Sequence, residues 1–333
     1  MKKICYLGAG VWGFCLASLL ANKGFQVMVW SRNQSLLNHI KMFANHPKIP
    51  GSSISPNLSF TKNMREALEG AELIVEGVSS AGLRPVCEQL KQITPLTIPF
   101  VLTSKGIEQN TGLLMSEVVL EVFGKEIKKH IGCLSGPSIA LEIIQGLPCS
   151  VVCSSYSTDT INIIHEAFSS PKFRVYPNID IKGVELGGAL KNIIAIACGI
   201  SDGLNFGDNA KAALITRGLH EMRRFAAIVG CRPDTLNGLA GMGDLCVTCF
   251  SNFSRNHRFG KLIAQGLSII EAKEHIGMVI EGAYTAVSAT QIARQHKIEL
   301  PIAEGIYKVL YENLSPLEGV RLLMQRETKQ EYL

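Results

Sequence analysis

This sequence has few aromatic residues, a small net charge and no long apolar run. Aromatics make up 7% of its 333 residues, and 33 basic against 28 acidic residues leave a net charge of only +5. Nucleic-acid-binding proteins usually carry a basic block or stripe, and the sequence contains none. No stretch reaches the roughly 18 consecutive apolar residues of a membrane span. We therefore expect neither nucleic acid nor a membrane among the partners of this chain.

The ten cysteines lack the paired spacing of a disulfide framework or a metal site. Cys246 and Cys249 form one CxxC without a second pair, and no two histidines stand at HxxxH spacing. Several cysteines, such as Cys153, lie in apolar runs, which is typical of reduced core thiols. The apolar run after Met1 is too short for a signal peptide. We expect a cytoplasmic protein without a metal; a zinc site or a redox pair at the CxxC is the weaker alternative.

The chain length predicts two domains. Through the first half, short apolar runs alternate with helical patterns, from Ile4–Leu7 to Phe173–Tyr176. Such alternation predicts a mainly parallel sheet covered by helices. From about Ile181 the pattern is helical, with glycine turns and no strand. We predict an α/β N-terminal domain with a mainly parallel sheet over residues 1–180, followed by an all-α C-terminal domain over residues 181–333.

A glycine loop lies in the first predicted turn. Gly8-Ala9-Gly10-Val11-Trp12-Gly13 follows a strand and begins a helix, within a strand–turn–helix–strand unit of about 30 residues. In this motif Gly8 makes the turn, Gly10 lets backbone amides approach a pyrophosphate, and Gly13 lets the helix pack on the strand. The helix N-terminus favours the anion. The loop predicts a Rossmann-like domain that binds a dinucleotide.

The end of the second strand bears on which dinucleotide is used. A site selective for NAD usually has an acidic residue there, which binds the ribose 2′-hydroxyl. This chain has Ser31-Arg32-Asn33 instead. We infer that Arg32 meets a 2′-phosphate, so that NADP(H) is accepted as well as NAD(H). A solvated surface arginine is the alternative.

The segment Gly187–Gly199 reads as a helix that is apolar nearly all round, and such a helix is normally buried. Lys191 and Asn192 lie in its middle. A buried lysine must snorkel, find an anion or lose its proton. We favour a lysine that binds a ligand or transfers a proton over one that snorkels. Gly187, one turn earlier, and Gly188 beside it lack side chains and are expected to leave room for a small molecule.

Two further segments follow predicted strands, where the carboxyl edge of a parallel sheet faces its ligand crevice. Ser104-Lys105-Gly106 places Lys105 there, to meet a cofactor or an anionic substrate; a surface lysine is the alternative. Ser135-Gly136-Pro137-Ser138 turns the chain into a helix expected to start near Ser138. The Ser138 hydroxyl and nearby amides can bind a substrate oxygen, or they can serve as a helix cap alone.

The helical half contains two more candidate sites. Asp244 stands in the glycine-flanked turn Gly241-Met242-Gly243-Asp244-Leu245, as a ligand or as a helix cap. Ser254-Arg255-Asn256 begins a helix predicted to run to about Gln265, with Ser254 as N-cap. A cation in the first turn is poorly placed unless an anion is bound there. Free amides, an arginine and an amide side chain make a suitable phosphate site.

Taken together and in this order, these segments resemble the NAD(P)-dependent glycerol-3-phosphate dehydrogenases, in particular the bacterial soluble type. The resemblance covers essentially the whole chain. Its motifs are the glycine loop, Ser104-Lys105-Gly106, Ser135-Gly136-Pro137-Ser138, Gly188-Ala189-Leu190-Lys191-Asn192, Gly203 through Asp208-Asn209, Ala240-Gly241-Met242-Gly243-Asp244-Leu245 and Ser254-Arg255-Asn256.

The resemblance implies reversible conversion of sn-glycerol 3-phosphate to dihydroxyacetone phosphate, as a source of glycerol 3-phosphate for phospholipids. It implies that Lys191 is the catalytic acid and base. The positions that match the family's substrate site are Lys105, Gly136, Ser138, Lys191, Asp244, Ser254, Arg255 and Asn256. Those that match its nucleotide site are Val11, Trp12, Arg32, Lys105, Ala140, Arg255, Val279 and Glu281, beside the glycines Gly8, Gly10 and Gly13.

The chain departs from the family at three points. Val75-Glu76-Gly77-Val78-Ser79-Ser80 stands where the family often has a proline after the strand. Val11 replaces a more common serine, and Ser138 stands where threonine is also seen. Two alternatives remain open: a hydroxyacyl or sugar-acid dehydrogenase of the same architecture, and a non-catalytic NADP sensor. The apolar helices of the second domain make a homodimer plausible.

Overall fold

The chain divides into two compact units. The structure, a computed structural model, describes residues 1–328, 330 and 331. Residues 1–104 and 115–181 form the first unit, and residues 105–114 and 182–333, as far as they are described, form the second. The sequence prediction divided the chain once, after residue 180. The structure differs in one respect, because it places segment 105–114 with the second unit.

The first unit is built on an eight-stranded sheet of order β3-β2-β1-β4-β5-β6-β7-β8. Neighbouring strands are parallel except for β6 and β7, which are antiparallel. This confirms the predicted mainly parallel sheet. The strands are β1 Lys3–Leu7, β2 Gln26–Trp30, β3 Leu58–Thr61, β4 Leu73–Glu76, β5 Phe100–Leu102, β6 Ile131–Ser135, β7 Cys149–Ser155 and β8 Phe173–Asn178.

Helices separate the strands, as the alternating pattern predicted. The sequence analysis missed one strand, β3, whose four residues include two hydroxyl side chains and which lies at an edge of the sheet. The helices of this unit are α1 Val11–Asn22, α2 Gln34–Phe43, α3 Met64–Leu68, α4 Ser80–Lys91, α5 Met115–Phe123, α6 Ala140–Ile144 and α7 Thr158–Phe168, with a 3₁₀ helix at Lys125–His130.

From Ile181 on, the described residues form helices and no strand, which confirms the predicted all-α region. Segment 105–114 has no helix and contains an isolated antiparallel bridge between Ile107 and Leu114. A 3₁₀ helix at Pro233–Asn237 and a π-helical turn at Leu239–Gly243 lead into α10. The helices are α8 Ile181–Gly203, α9 Gly207–Ile228, α10 Asp244–Phe250, α11 Arg255–Ala264, α12 Ile269–Ile276, α13 Glu281–His296, α14 Pro301–Tyr311 and α15 Pro316–Met324.

Helix α8 is the core of the second unit. Its apolar residues are at most 7% exposed, and Leu186, Ile193 and Ile196 are at most 1% exposed. By length and mean hydropathy, 1.4 over its most apolar window, this helix could cross a membrane. Every residue of that window is buried within the fold. The helix is therefore apolar all round because protein surrounds it.

Side-chain caps begin three of the later helices. The Ser254 hydroxyl accepts a hydrogen bond from the His257 amide, which confirms it as the N-cap of α11. At α12, Ser268 and Glu271 form a reciprocal capping box. At α15 the Ser315 hydroxyl accepts from the Glu318 amide. These caps fix where α11, α12 and α15 begin.

Candidate active site

The glycine loop joins β1 to α1 in the predicted way. Gly8 has a φ of +113°, a conformation that L side chains rarely adopt, and Gly10 is the N-cap of α1. A Cβ on Gly13 would lie 2.2 Å from the Gly8 carbonyl oxygen. Any side chain at Gly13 would therefore force α1 away from the turn, which explains the two outer glycines of the motif.

The first turn of α1 has the chemistry that a dinucleotide pyrophosphate needs. It carries no acidic residue and no side-chain cap, and nothing lies within 4 Å of a Cβ built on Gly10. The Trp12 indole Nε1 is buried and has no hydrogen-bond partner among the described residues. Uncapped amides at a helix N-terminus favour an anion. These residues therefore fit the phosphates of a dinucleotide.

Arg32 lies two residues after the end of β2 and is exposed. The Ser31 hydroxyl beside it accepts a hydrogen bond from the Asn33 amide, and Asn33 caps α2. No acidic residue occupies this turn. The turn therefore lacks the carboxylate that binds a ribose 2′-hydroxyl and presents a guanidinium instead.

The turn after β6 differs from its prediction in one detail. Helix α6 begins at Ala140 rather than near Ser138, and its N-cap is Ile139, without a side-chain cap. The Ser138 hydroxyl donates to the Gly136 carbonyl at 2.9 Å. Ser138 is therefore not a helix cap, and the lone pairs of its oxygen can still accept a hydrogen bond.

In the second unit, one carboxylate holds two lysines. Lys191 Nζ lies 2.6 Å from Asp244 Oδ1, and Lys105 Nζ lies 2.7 Å from Asp244 Oδ2. Asp244 is 1% exposed and Lys191 7%. The sequence suggested each of these three residues separately. The structure brings them into one ion-pair cluster.

Burial lowers the pKa of Lys191 to about 8, and the positive charge of Lys105 lowers it further. The Asp244 carboxylate acts in the opposite direction, because it stabilises the ammonium form. The alternative of a snorkelling lysine is excluded, since the amine is buried and ion-paired in the interior. A lysine pKa near 8 lets the amine gain and lose a proton close to neutral pH.

Thr248 completes the surroundings of the amine, and the sequence analysis missed it. Lys191 Nζ donates to Thr248 Oγ1 at 2.7 Å, while the Thr248 hydroxyl donates to the Asp244 carbonyl at 2.5 Å. The hydroxyl proton is thus used within α10, which leaves a lone pair for the lysine. Thr248 lies one helical turn after Asp244, and that spacing is the signal that could have identified it.

The room expected beside Gly187 is filled by backbone. A Cβ on Gly187 would lie 2.4 Å from the Ala240 carbonyl oxygen. The missing side chain therefore lets α8 approach the π-helical turn before α10, and the expectation of ligand space there was wrong. This close approach sets the distance between Lys191 on α8 and Asp244 on α10.

A chain of amides joins three helices of the second unit. The Asn192 amide Nδ2 donates to the Gly188 carbonyl, and its Oδ1 accepts from Asn256 Nδ2 at 2.9 Å. Asn256 Oδ1 accepts from the Gly282 amide at 3.0 Å. Asn256, a predicted phosphate ligand, thus has one N–H left over from these contacts. Asn192, which was not predicted as a site residue, fixes its orientation.

Arg255 stands at the start of α11, with Glu281 at the start of α13. Arg255 Nη1 donates to the Val279 carbonyl at 3.2 Å. Burial lowers the pKa of Arg255, and the negative charge of Glu281 opposes this shift. The three predicted nucleotide positions Arg255, Val279 and Glu281 therefore belong to one local arrangement within the second unit.

The CxxC residues Cys246 and Cys249 belong to α10, the helix that carries Asp244 and Thr248. The Cys249 thiol is hydrogen bonded to Cys198, and this bond, together with burial, raises its pKa. Burial also raises the pKa of Cys246. Over the described residues, no three His, Cys, Asp or Glu side chains come together as metal ligands.

Comparison with known families agrees with this geometry. A family model described as the NAD-dependent glycerol-3-phosphate dehydrogenase N-terminus matches residues 3–161, and one described as the C-terminus of the same enzyme matches residues 180–321. The chain belongs to the NAD-dependent glycerol-3-phosphate dehydrogenase family. This confirms the resemblance on which the sequence interpretation depended.

Relatives of this dehydrogenase family match over nearly the whole chain. Glycerol-3-phosphate dehydrogenases [NAD(P)+] of Chlamydia pneumoniae and Chlamydia caviae are 66% and 65% identical over 332 residues, covering 100% of this chain and 99% of each relative. The crystal structure of glycerol-3-phosphate dehydrogenase from Coxiella burnetii is 37% identical, with a TM-score of 0.93, and covers 98% of this chain and 99% of that one.

Proposed function

We propose that this chain interconverts sn-glycerol 3-phosphate and dihydroxyacetone phosphate with NAD(P)(H). Membership of the glycerol-3-phosphate dehydrogenase family supports the reaction. The contact that carries the proposal is the buried Lys191 amine, held 2.6 Å from Asp244. The reaction needs a group that exchanges one proton with the substrate oxygen, and Lys191 is suited to that task.

The residues proposed for the dinucleotide come from the geometry of the glycine loop and from the match to the family. Gly8, Gly10, Val11, Trp12 and Gly13 form the loop and first turn for the pyrophosphate, with Arg32 for a 2′-phosphate. We assign Ala140, Lys105, Arg255, Val279 and Glu281 to the same cofactor by their match to the family. When bound, the nicotinamide exchanges a hydride with the carbinol carbon of the substrate.

Lys191 Nζ would carry the proton. In oxidation of the alcohol, the neutral amine accepts the hydroxyl proton. In reduction of the ketone, the ammonium donates a hydrogen bond to the carbonyl oxygen and then the proton. Two of its three N–H positions face Asp244 Oδ1 and Thr248 Oγ1, which leaves the third for the substrate oxygen. Its pKa of about 8 allows both protonation states near neutral pH.

Asp244 and Lys105 would orient this amine and adjust its charge. Asp244 holds both lysines through its two oxygens. Lys105 lowers the pKa of Lys191 by repulsion, so that the carboxylate does not keep the amine permanently protonated. We assign Lys105 a second role as a donor to the substrate, together with Gly136 and Ser138.

The substrate phosphate would be held at the start of α11. Ser254 caps this helix, and its remaining first-turn amides point to the N-terminal end. Arg255 supplies a guanidinium, and Asn256 one N–H that its contacts with Asn192 and Gly282 leave over. Binding of a phosphate remote from the reacting carbon provides energy for alignment of the substrate.

Cellular role and assembly are further proposals. We infer that the enzyme uses NADPH as well as NADH, because an arginine stands where an acid would select NAD. We infer a cytoplasmic location, since all ten cysteines are free thiols. The product glycerol 3-phosphate would feed phospholipid synthesis. A homodimer is proposed only from the apolar character of the helical half.

The first test is direct. Purified protein is mixed with dihydroxyacetone phosphate, and the absorbance of NADPH or NADH is followed, with Lys191→Ala in parallel. We expect oxidation of the cofactor that requires both the substrate and Lys191. A protein that binds NADPH but turns over neither cofactor would contradict the proposed substrate. Turnover of hydroxyacyl or sugar-acid substrates would then support the same architecture with another reaction, and NADPH binding without any turnover would support a sensor.

A further inference from the structure

Glu76 is a fully buried carboxyl group that the reaction described above does not use. It is the last residue of β4 and is 0% exposed. Its contacts are all with neutral donors, and within the described part of the chain none is a cation. Buried carboxylates are normally paired with a positive charge. An unpaired carboxyl group in the interior therefore calls for an explanation.

The carboxyl group joins two turns at one edge of the sheet. Glu76 Oε1 accepts from the Val78 amide at 2.6 Å, which holds the turn between β4 and α4. Glu76 Oε2 accepts from the Ser104 hydroxyl at 2.8 Å and lies 3.5 Å from the Ser104 amide, just after β5. Both turns leave the carboxyl ends of neighbouring parallel strands. The side chain therefore ties these two turns together, in addition to the two hydrogen bonds from Thr103 to the Glu76 carbonyl.

These turns lie at the point where the strand order reverses. In the order β3-β2-β1-β4-β5-β6, Glu76 of β4 is paired with Leu7 of β1, the residue before the glycine loop. A Cβ on Gly8 would lie 2.9 Å from the Gly77 carbonyl oxygen, so the turn after Glu76 packs directly on the loop. Dinucleotides bind across the crevice at such a switch point.

The sheet also indicates which half of the dinucleotide faces Glu76. Arg32, the residue placed to read a 2′-phosphate on the adenosine side, follows β2. The adenosine half therefore belongs to β1–β3, and the nicotinamide half belongs to the strands that begin with β4. Oxidised nicotinamide carries a positive charge, and reduced nicotinamide is neutral. A carboxylate beneath this half of the crevice interacts differently with the two forms.

We propose that Glu76 is a positioning residue of the nicotinamide half-site, and that its negative charge favours the oxidised dinucleotide over the reduced one. The proposal rests on the dinucleotide binding of the proposed function, but not on the identity of the substrate. The hydrogen bonds from Val78 and Ser104 shape the crevice. The charge acts on the nicotinamide ring through a low-dielectric interior.

The carboxyl group changes charge in the range where this effect can be measured. Burial raises its pKa to about 7, and the hydrogen bonds from Ser104 and Val78 oppose the shift. The titratable groups coupled to it are Tyr6 of β1 and Cys87 of α4, and burial raises the pKa of both well above neutral. Those two groups stay neutral, so Glu76 alone titrates here near pH 7.

The test measures dissociation constants of NADP+ and NADPH by fluorescence or calorimetric titration of the intact chain, from about pH 6.5 to about pH 8.5. For the native protein, we expect the ratio of the NADP+ to the NADPH constant to fall with rising pH, by on the order of tenfold, as Glu76 ionises. The ratio cancels the titration of the 2′-phosphate, which both forms carry. Substrate turnover is not needed, so failure of the substrate proposal would leave this test intact.

Glu76→Gln removes the charge and keeps the shape. Its amide oxygen can still accept from Val78, and its NH₂ can donate to the Ser104 oxygen. We expect this variant to lose the change in the affinity ratio around pH 7 and to keep only the change at higher pH that Lys191, with a pKa of about 8, contributes. Glu221→Gln is the matched control: Glu221 is also buried with a pKa of about 7, but it accepts from the amides of Ile302 and Ala303 at the start of α14. That variant should keep the native pH dependence.

Two results would overturn the proposal: a pH-independent ratio in the native protein, or the same pH dependence in Glu76→Gln as in the native protein. Should Glu76→Gln not fold, Ser104→Ala provides a second measurement. Loss of the Ser104 hydroxyl destabilises the carboxylate and raises its pKa, so the pH dependence should move to higher pH. An unchanged midpoint in Ser104→Ala would contradict the role of Glu76.

Discussion

Lys191 Nζ lies 2.6 Å from Asp244 Oδ1, and both groups are almost completely buried. Because the same carboxylate also binds Lys105, the pair is one part of a three-charge cluster rather than an isolated salt bridge. Two positive charges and one negative charge leave an excess positive charge in the interior. Such a cluster is costly for stability and suited to binding an anionic substrate.

Loss of the amine should abolish turnover but leave cofactor binding intact. In Lys191→Ala we expect kcat to fall by at least about 10³-fold, since proton transfer and carbonyl polarisation are lost together. The dissociation constant of NADPH should change little. Lys308→Ala, which alters a half-exposed lysine on α14, is the control. Near-native turnover in Lys191→Ala would disprove its role.

The two directions of the reaction should have opposite pH profiles. The pKa of Lys191, about 8, lies below that of a free lysine. Reduction needs the protonated amine, so kcat/KM for dihydroxyacetone phosphate should fall as the pH rises through about 8. Oxidation needs the neutral amine, so kcat/KM for glycerol 3-phosphate should rise over the same range. Initial rates in both directions, measured across that range, test this; parallel profiles would point to another group.

Thr248 should matter although it forms no part of the sequence motif. Thr248→Val keeps the shape and removes the acceptor that faces Lys191 Nζ. The ammonium form loses a hydrogen bond, so the pKa of Lys191 should fall and kcat for ketone reduction should drop by about tenfold. Thr248→Ser restores the hydroxyl and should recover activity. If both variants behave alike, only packing is affected.

Arg255 should act on the affinity for the phosphorylated substrate. Loss of a charged hydrogen bond to phosphate costs about 1.5–3 kcal/mol, so Arg255→Ala should raise KM for dihydroxyacetone phosphate by about 10- to 100-fold. The control is Arg258→Ala, which changes an exposed arginine three residues later on the same helix. An unchanged KM in Arg255→Ala would remove the phosphate role.

Arg32 should distinguish the two cofactors. In Arg32→Ala we expect the dissociation constant of NADPH to rise by about tenfold, because the 2′-phosphate loses its cation, and that of NADH to stay the same. Lys41→Ala removes an exposed charge from α2 and serves as the control. Equal effects on NADPH and NADH would mean that Arg32 is a solvated surface residue.

Glu221 should make the protein less stable as the pH rises. Its pKa is about 7 in the folded chain against 4.5 for an unperturbed glutamate, so the folded state retains the proton where the unfolded state has lost it. Its contribution to stability is fully present below pH 4.5 and is lost as the pH rises to about 7, by about 3 kcal/mol. Urea denaturation of Glu221→Gln between these values should show a smaller loss than in the native protein.

The sequence was informative where the signal is local. The glycine loop, the N-cap at Ser254 and the buried character of α8 follow from patterns of neighbouring residues, and the structure confirms each of them. Lys105, Lys191 and Asp244 were each suggested by a strand end, a helix or a turn. The contacts among these three side chains could not be predicted, because they form between segments that are distant in the sequence.

Non-local packing accounts for what the sequence analysis missed. Thr248 contacts the Lys191 amine only because α8 and α10 pack together. The missing side chain of Gly187 was expected to leave space for a ligand, but the Ala240 carbonyl of the π-helical turn occupies that space. The hydrogen bond between Asn192 and Asn256 spans 64 positions and gives no local pattern. Strand β3 is short and lies at the edge, so it lacks the apolar run of a central strand.

Segment 105–114 has a consequence for how the chain is made. The Ser288 hydroxyl on α13 donates to the Ile107 carbonyl, 181 positions earlier in the chain. The contacts of this segment are therefore complete only after α13 has been synthesised. During translation this segment leaves the ribosome before most of the residues that it contacts have been synthesised. Contacts this distant in sequence are typical of slow folding steps. Residues 182–333 expressed alone would lack Lys105, and with it one of the two cations on Asp244.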